Sequence, residues 1–170
     1  MTSPEMPPNI FEPEFDADQD RPGFSWRRAR IGRQAGAERL GASLFELGPG
    51  QAAFPLHFHL ANEELLVVIS GTPTLRTGAG EYELGGGDVV AFPVGERGVH
   101  QLINRSREPV RVLLFSEMNA PEIVAYPDSQ KVFARDTPPG GPPVEIGGSF
   151  FTADAVDYFE GEPGDSPGRG

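Results

Sequence analysis

Cysteine is absent from this sequence. Disulfides therefore contribute nothing to its stability, and no thiolate can serve as nucleophile or metal ligand. Any metal would have to be held by nitrogen and oxygen. Histidine is scarce too, with three in 170 residues, and tryptophan occurs once. No apolar stretch approaches the roughly 20 residues that a membrane helix needs. The opening MTSPEMPPNIF lacks the basic start and apolar run of a secretory signal. The expectation is a cytoplasmic chain with no membrane contact. Basic residues are few, 14 against 25 acids, for a formal charge of -11. Such a surface repels phosphate backbones and argues against nucleic acid as a partner. Arg27, Arg28, Arg30 and Arg33 do cluster, which in a small acidic protein reads as intramolecular charge pairing.

Turn formers are abundant, with Gly 22 and Pro 18. They divide the chain into short elements, and its length suits one domain. Residues 1–23 are rich in Pro, Asp and Glu and read as an arm, flexible or docked, anchored at most by Phe11 and Phe15. Strands are expected at Phe24–Ile31 and Ala42–Leu47, with a small-residue loop over 32–39. Phe54–His59 has strand composition. The continuous β-branched run Leu65–Ile69 reads as a buried strand. Pro73–Arg76 and Glu81–Leu84 flank a hairpin turn, and Asp88–Phe92, Val99–Ile103 and Val110–Ser116 complete the block. No run here has a 3.6-residue period, which argues against an α/β fold. The triplet Gly85-Gly86-Gly87 is a turn, not a phosphate loop.

Beyond Glu117 the sequence looks irregular. Lys131–Ala134 can add a short strand, and residues 137–149 (TPPGGPPVEIGGS) can form no packed element of their own. Phe150–Phe159 is the one candidate for a short helix, within a C-terminal segment 150–160 expected to dock. Residues 161–170 read as a disordered tail.

The three histidines carry the chemistry. His57 and His59 are one residue apart, so on a strand their rings point to the same side. Residues 60–63 can turn and bring Glu64 back to the same interior. His100 lies on a later strand that antiparallel pairing can bring opposite. Three imidazoles and a carboxylate form a recurring donor set for a divalent metal.

Residues 50–104 resemble the cupin family. Its first motif is matched by Gly50, His57, His59, Glu63/Glu64 and Gly71, and its second by Gly87, Pro93, Gly95, His100 and Asn104. The Gly95-to-His100 gap is longer than the family's by about two residues, which the turn Glu96-Arg97-Gly98 can absorb. The resemblance implies an all-β chain with a single cupin-type antiparallel β-barrel, jelly-roll-like, over 24–136, with irregular N- and C-terminal extensions. It implies His57, His59, one of the Glu pair and His100 as ligands. The interval from glutamate to the closing glycine in family members favours Glu64. One divalent ion per chain follows, with Fe, Mn, Zn or Ni all compatible.

The family spans many reactions, so the resemblance fixes no single one. It implies a metal-binding cupin, either an enzyme of oxygenase, decarboxylase or isomerase type acting on a small organic molecule, or a non-catalytic binding module or structural metal site. General acid or base work would fall to Glu63, Tyr82 or a metal-bound water. Phe54 and Phe58 can line the pocket, and Arg76 and Arg111 lie on strands of the same block. The expected partners are a small-molecule ligand or substrate and a second copy of the chain, the homodimer meeting through Phe24–Ile31.

Overall fold

Short alternating segments cut by glycine and proline fold as strands, with almost no helix. The computed structural model describes residues 6–139 and 144–163. Of the expected N-terminal arm, Pro/Gly-rich crossing and C-terminal tail, residues 1–5, 140–143 and 164–170 lie outside the described residues. The strands are β1 (Ala17–Arg21), β2 (Phe24–Ala29), β3 (Leu40–Leu47), β4 (Phe58–His59), β5 (Glu64–Ser70), β6 (Thr74–Thr77), β7 (Gly80–Glu83), β8 (Val89–Phe92), β9 (His100–Ile103), β10 (Val110–Glu117), β11 (Glu122–Tyr126), β12 (Lys131–Arg135) and β13 (Gly147–Phe151). The one α-helix among the described residues is a single turn, α1 (Ile31–Gln34). No helix there is long and apolar enough to cross a membrane.

The strands form three antiparallel sheets. The largest runs β1-β2-β3-β10-β5-β8, a second β13-β12-β11-β4, and a third β7-β6-β9. None of them closes on itself among the described residues, so the chain is strand-rich and antiparallel without a sheet that joins edge to edge into a barrel.

The central strands of the large sheet are covered on both faces. Leu66 and Val68 of β5 point into the main core with Phe45, Leu47, Leu75, Leu102 and Val112. Val67 and Ile69 point the other way, beside Leu44, Leu113, Ile31 and Phe15. That double burial is why Leu65–Ile69 reads as a continuous apolar run instead of an alternating one. Each fully buried aliphatic side chain contributes on the order of 2 kcal/mol of transfer free energy. Glu64 opens β5 on the face of Leu66 and Val68, and this parity aims its carboxylate inward.

Three features decide or overturn sequence expectations. Of the two readings left open for the N-terminal arm, segment 17–21 takes the docked one, as a strand hydrogen-bonded to β2. Residues 122–126, which look irregular in sequence, form β11 between β4 and β12. The helix expected over 150–159 is not formed. Instead Gly147–Phe151 pairs with β12, followed by a 3-10 turn at Thr152–Asp154. Gly147 lets the pairing start close to β12, since a Cβ there would lie 2.2 Å from the Ala134 carbonyl oxygen. Backbone pairing orders the segment, while the rings of Phe150 and Phe151 stay exposed.

Candidate metal centre

The histidines converge through backbone pairing. His57 and His100 form an isolated antiparallel bridge in which each N–H donates to the other's carbonyl, at 3.1 and 2.9 Å. Directly opposed residues on an antiparallel ladder share a face, and their ring centroids lie 4.5 Å apart. His59 sits on the two-residue β4, held against Val124 of β11. Its ring is 5.0 Å from His57 and 6.5 Å from His100. Glu64 arrives from the large sheet, and its Oε2 is 3.4 Å from Nε2 of both His59 and His100. One ligand atom each from His57, His59 and Glu64 lies within 4.8 Å of the others. Glu63 points to solvent, and its N–H donates to the Glu117 carboxylate.

Carbonyl oxygens orient two of the rings. Pro55 lies 2.9 Å from His57 Nδ1 and Gly98 lies 2.8 Å from His100 Nδ1. A carbonyl only accepts, so each Nδ1 carries a proton, and in the neutral ring Nε2 is the nitrogen left to ligate. The Gly98 contact depends on the glycine, because a Cβ there would sit 1.9 Å from the Pro93 oxygen. A 3-10 turn, Glu96–Gly98, occupies the interval between Gly95 and His100.

Both ring nitrogens of His59 are buried and lack a hydrogen-bond partner. Its Nε2 faces Glu64, and its Nδ1 faces Glu122 Oε2 at 3.6 Å, beyond hydrogen-bond reach. A divalent ion fits this setting. His57, His59 and Glu64 supply nitrogen and oxygen donors suited to one, His100 presents a third imidazole to the same carboxylate, and an ion at His59 Nε2 would satisfy an orphaned buried atom.

The electrostatics point the same way. Burial, reinforced by His100 and His59, pushes His57 down to about 3, so it is a neutral base at physiological pH. Burial also opposes charge on His59, but the facing carboxylates of Glu122 and Glu64 outweigh it and raise its pKa. For Glu64, burial is outweighed by the surrounding imidazoles, which hold its carboxyl below the usual range.

Glu122 is a residue that sequence reasoning missed. It is 1% exposed. Its Oε1 accepts the backbone N–H groups of Leu60 and Ala61 at 3.2 Å, and its Oε2 accepts from the Asn62 side chain. Asn62 in turn accepts the Asn119 N–H at 2.7 Å. Burial would raise the Glu122 carboxyl, but His59, Asn62 and Ala61 together lower it. The one sequence signal available was an acid preceding the short apolar run Ile123–Val124–Ala125.

A cavity of about 540 Å³ lies between the six-stranded and four-stranded sheets, with His57, His59, Glu64 and Glu122 at its buried end. Tyr126 also lines it, stacked on His57 at 6.0 Å, its hydroxyl pKa raised by burial. Phe54 lines it as well, but Tyr82, Arg76, Arg111 and Phe58 do not. Arg76 pairs with Asp128, and Arg111 with Glu46. Asn104 is buried away from the site, donating to the Leu47 and Glu108 carbonyls. A depression of about 570 Å³ beside β1 and β2 carries no histidine and no part of this cluster.

Residues 43–116 match the cupin domain family. Among solved structures, the chain is similar to a sugar phosphate isomerase from a cupin superfamily of Silicibacter pomeroyi, at 26% identity and a TM-score of 0.69, covering 81% of this chain and 95% of that one. It is similar in fold to a putative sugar phosphate isomerase from Acidithiobacillus ferrooxidans, at 24% identity and a TM-score of 0.72, covering 82% and 86%. It also resembles in fold a polyketide cyclase from Streptomyces resistomycificus, at 24% identity and a TM-score of 0.50, covering 57% and 68%. No curated protein matches it.

Proposed function

We propose that this chain, whose residues 43–116 match the cupin domain family, is a cupin and a metal-dependent enzyme acting on a small organic molecule. The ligands are His57, His59, Glu64 and His100, and the cofactor is one divalent ion per chain. The three sheets are read as the walls of a cupin barrel, jelly-roll-like, with the ion between them. The observation that carries this reading is the arrangement around Glu64. Its carboxylate meets two imidazole Nε2 atoms at 3.4 Å, and the His59 nitrogens are buried without partners.

When bound, such an ion polarises a substrate oxygen or carbonyl. The chain's own residues do the rest. The Pro55 and Gly98 carbonyls keep His57 and His100 in one tautomer. Tyr126 is the proton-bearing group of the wall nearest His57, and it replaces Tyr82 and Glu63 as the candidate acid. An isomerase-type reaction has the most support among the three types, because the Silicibacter pomeroyi relative is named a sugar phosphate isomerase. The cavity in front of the histidines argues against a purely structural ion, whose donor shell would be closed.

A homodimer is part of the proposal. Both edges of β2 are already paired, so Phe24–Ile31 cannot contribute by strand addition. The open edge of β13, beside exposed Phe150 and Phe151, is the better place.

Elemental analysis tests the reading. The wild-type chain, loaded and desalted, should hold about one divalent ion, and His57→Ala with His59→Ala should hold almost none. Equal occupancy in the two proteins would refute the site.

A further inference from the structure

The scarce basic residues of this acidic chain are not evenly spread. Arg28, Arg30, Arg33 and Arg135 all line the cavity that ends at His57, His59 and Glu64. Arg28 belongs to β2, Arg30 follows it, Arg33 lies in α1, and Arg135 ends β12 on the facing sheet. The charge pairing expected from sequence accounts for only part of this. Arg27, outside the cavity, pairs with Glu46. Asp16 accepts from the backbone N–H and Nε of Arg30, at 3.0 and 3.1 Å. The same carboxylate is only within 3.8 Å of Arg28.

The remaining guanidinium capacity is unmet. Arg28 is half-buried, and its Nε is buried without a hydrogen-bond partner. Arg135 gives one terminal nitrogen to Thr137 and the Pro138 carbonyl, while its Nε is likewise buried and unpartnered. Arg33 is exposed and makes no ion pair among the described residues. Of the carboxylates on the cavity lining, Glu64 and Glu122 are engaged by the histidines, leaving Glu38 at the exposed end. Toward the open end of the cavity four cations thus face one lining carboxylate, Glu38, and Asp16 from outside the lining, while Glu64 and Glu122 lie at the histidine end. Like charges gathered at one cavity, with buried N–H groups unpaired, cost stability unless an anion completes them. An oxyanion matches the planar guanidinium fork and accepts from several arginines at once.

We propose that the cavity takes a small organic molecule carrying an oxyanion group, a phosphate monoester or a carboxylate. Arg28, Arg30 and Arg135 hold that group, Arg33 adds attraction at the opening, and the body reaches toward His57, His59 and Glu64 between Phe54 and Phe133. This rests on the reading that the cavity is the substrate's. It goes beyond that reading by assigning the substrate its charge and the arginines their role.

Calorimetric titration of the metal-loaded full chain tests it with ribose 5-phosphate, ribonate and ribose, which share a carbon skeleton and differ in the charged group. One of the two anions should bind at least about tenfold more tightly than ribose, and which one identifies the group. Arg135→Gln should weaken that anion about tenfold or more. Arg33→Gln, at an exposed position that the fold does not need, should weaken it about threefold. Arg135→Lys, which keeps charge and loses the fork, should fall between wild type and Arg135→Gln. Arg107→Gln, an exposed arginine outside the cavity, should bind as wild type does. The inference is overturned if both anions bind no better than ribose, or if Arg33→Gln and Arg135→Gln bind them as wild type does. Metal content is measured in every sample. If the double histidine variant keeps its metal while the arginine effects appear, the metal reading falls and this one stands. If metal binds as expected and the arginine effects are absent, this one falls alone.

Discussion

Glu122 Oε2 lies 3.6 Å from Nδ1 of His59, across the ring from Glu64, whose carboxylate faces Nε2 of the same imidazole. His59 is thus set between two acids with different surroundings. Glu64 looks into the ring of histidines, whereas Glu122 is tied to the backbone of Leu60 and Ala61 and to Asn62. Glu122 lies beyond hydrogen-bond reach of Nδ1, so it acts on His59 through its charge, as a positioning residue. Glu122→Gln should lower divalent-metal affinity by about tenfold to a hundredfold, the usual cost of losing such a partner. Competition against a chelator measures it. Glu122→Ala should also destabilise the fold by about 1–3 kcal/mol, because Asn62 and two backbone N–H groups lose their acceptor. Full metal affinity in Glu122→Gln would remove the positioning role.

His57 makes the metal-free chain acid-sensitive. Its folded pKa is about 3, below its ordinary value of 6.5. Between those values the unfolded chain binds a proton that the folded chain refuses. Stability therefore falls as pH drops below 6.5 and continues to fall toward 3, by up to roughly 1.4 kcal/mol per pH unit from this residue. His59 does not offset this. Its raised pKa leaves it protonated in both states below 6.5, and its own contribution is lost only as pH rises above that value. Urea unfolding of the metal-free protein at pH 7.0, 6.0 and 5.0 should show the decline, and His57→Gln should flatten it. An equal slope in the two proteins would contradict the burial argument.

Much of this architecture is legible in the amino-acid sequence. The block from β3 to β10 announces itself through apolar runs separated by Gly and Pro, and the boundaries of β5, β8 and β10 fall within a residue or two of expectation. The parity of β5 does not decide between Glu63 and Glu64, since both of its faces are apolar. The six-stranded sheet explains why, by covering both faces. What is not legible depends on partners remote in sequence. β11 is short and follows Pro121, and only its pairing with β4 and β12 defines it. Phe150 and Phe151 read as the start of a short helix over Phe150–Phe159, while register with β12 decides the outcome. The arginine cluster is visible as a run, but the cavity that Arg135 completes from the other sheet is not.

Gly98 should be as intolerant as a ligand. A methyl group there would enter the Pro93 carbonyl at 1.9 Å, and backbone cannot yield as a flexible side chain can. The turn Glu96–Gly98 would shift, and with it the carbonyl that orients His100. Gly98→Ala should cost more than about 1 kcal/mol of stability and weaken metal binding together. Gly86→Ala is the control, because its nearest neighbour would be 3.8 Å away. Denaturant midpoints and metal titration of the two variants should separate clearly.

Residues Gly147–Phe151 pair with β12 along its whole length, yet Phe150 is 52% exposed and Phe151 56% exposed. Val156, Tyr158 and Phe159 are more exposed still. The strand therefore holds on through backbone hydrogen bonds, and little apolar area is buried when it does. Its removal should cost the fold little, roughly 1–2 kcal/mol, since net backbone hydrogen bonds contribute modestly. Its open edge and exposed rings are what a second copy would cover. Truncation after Ile146 separates the two effects. Multi-angle light scattering at tens of micromolar should give a dimer mass for the full chain and a monomer mass for the truncated one. Metal content should be unchanged, because no residue of 147–163 lines the cavity. A monomeric full chain would end the dimer proposal. A truncated chain that remains dimeric would move the interface to another edge, with β1 and β8 the remaining open edges of the large sheet.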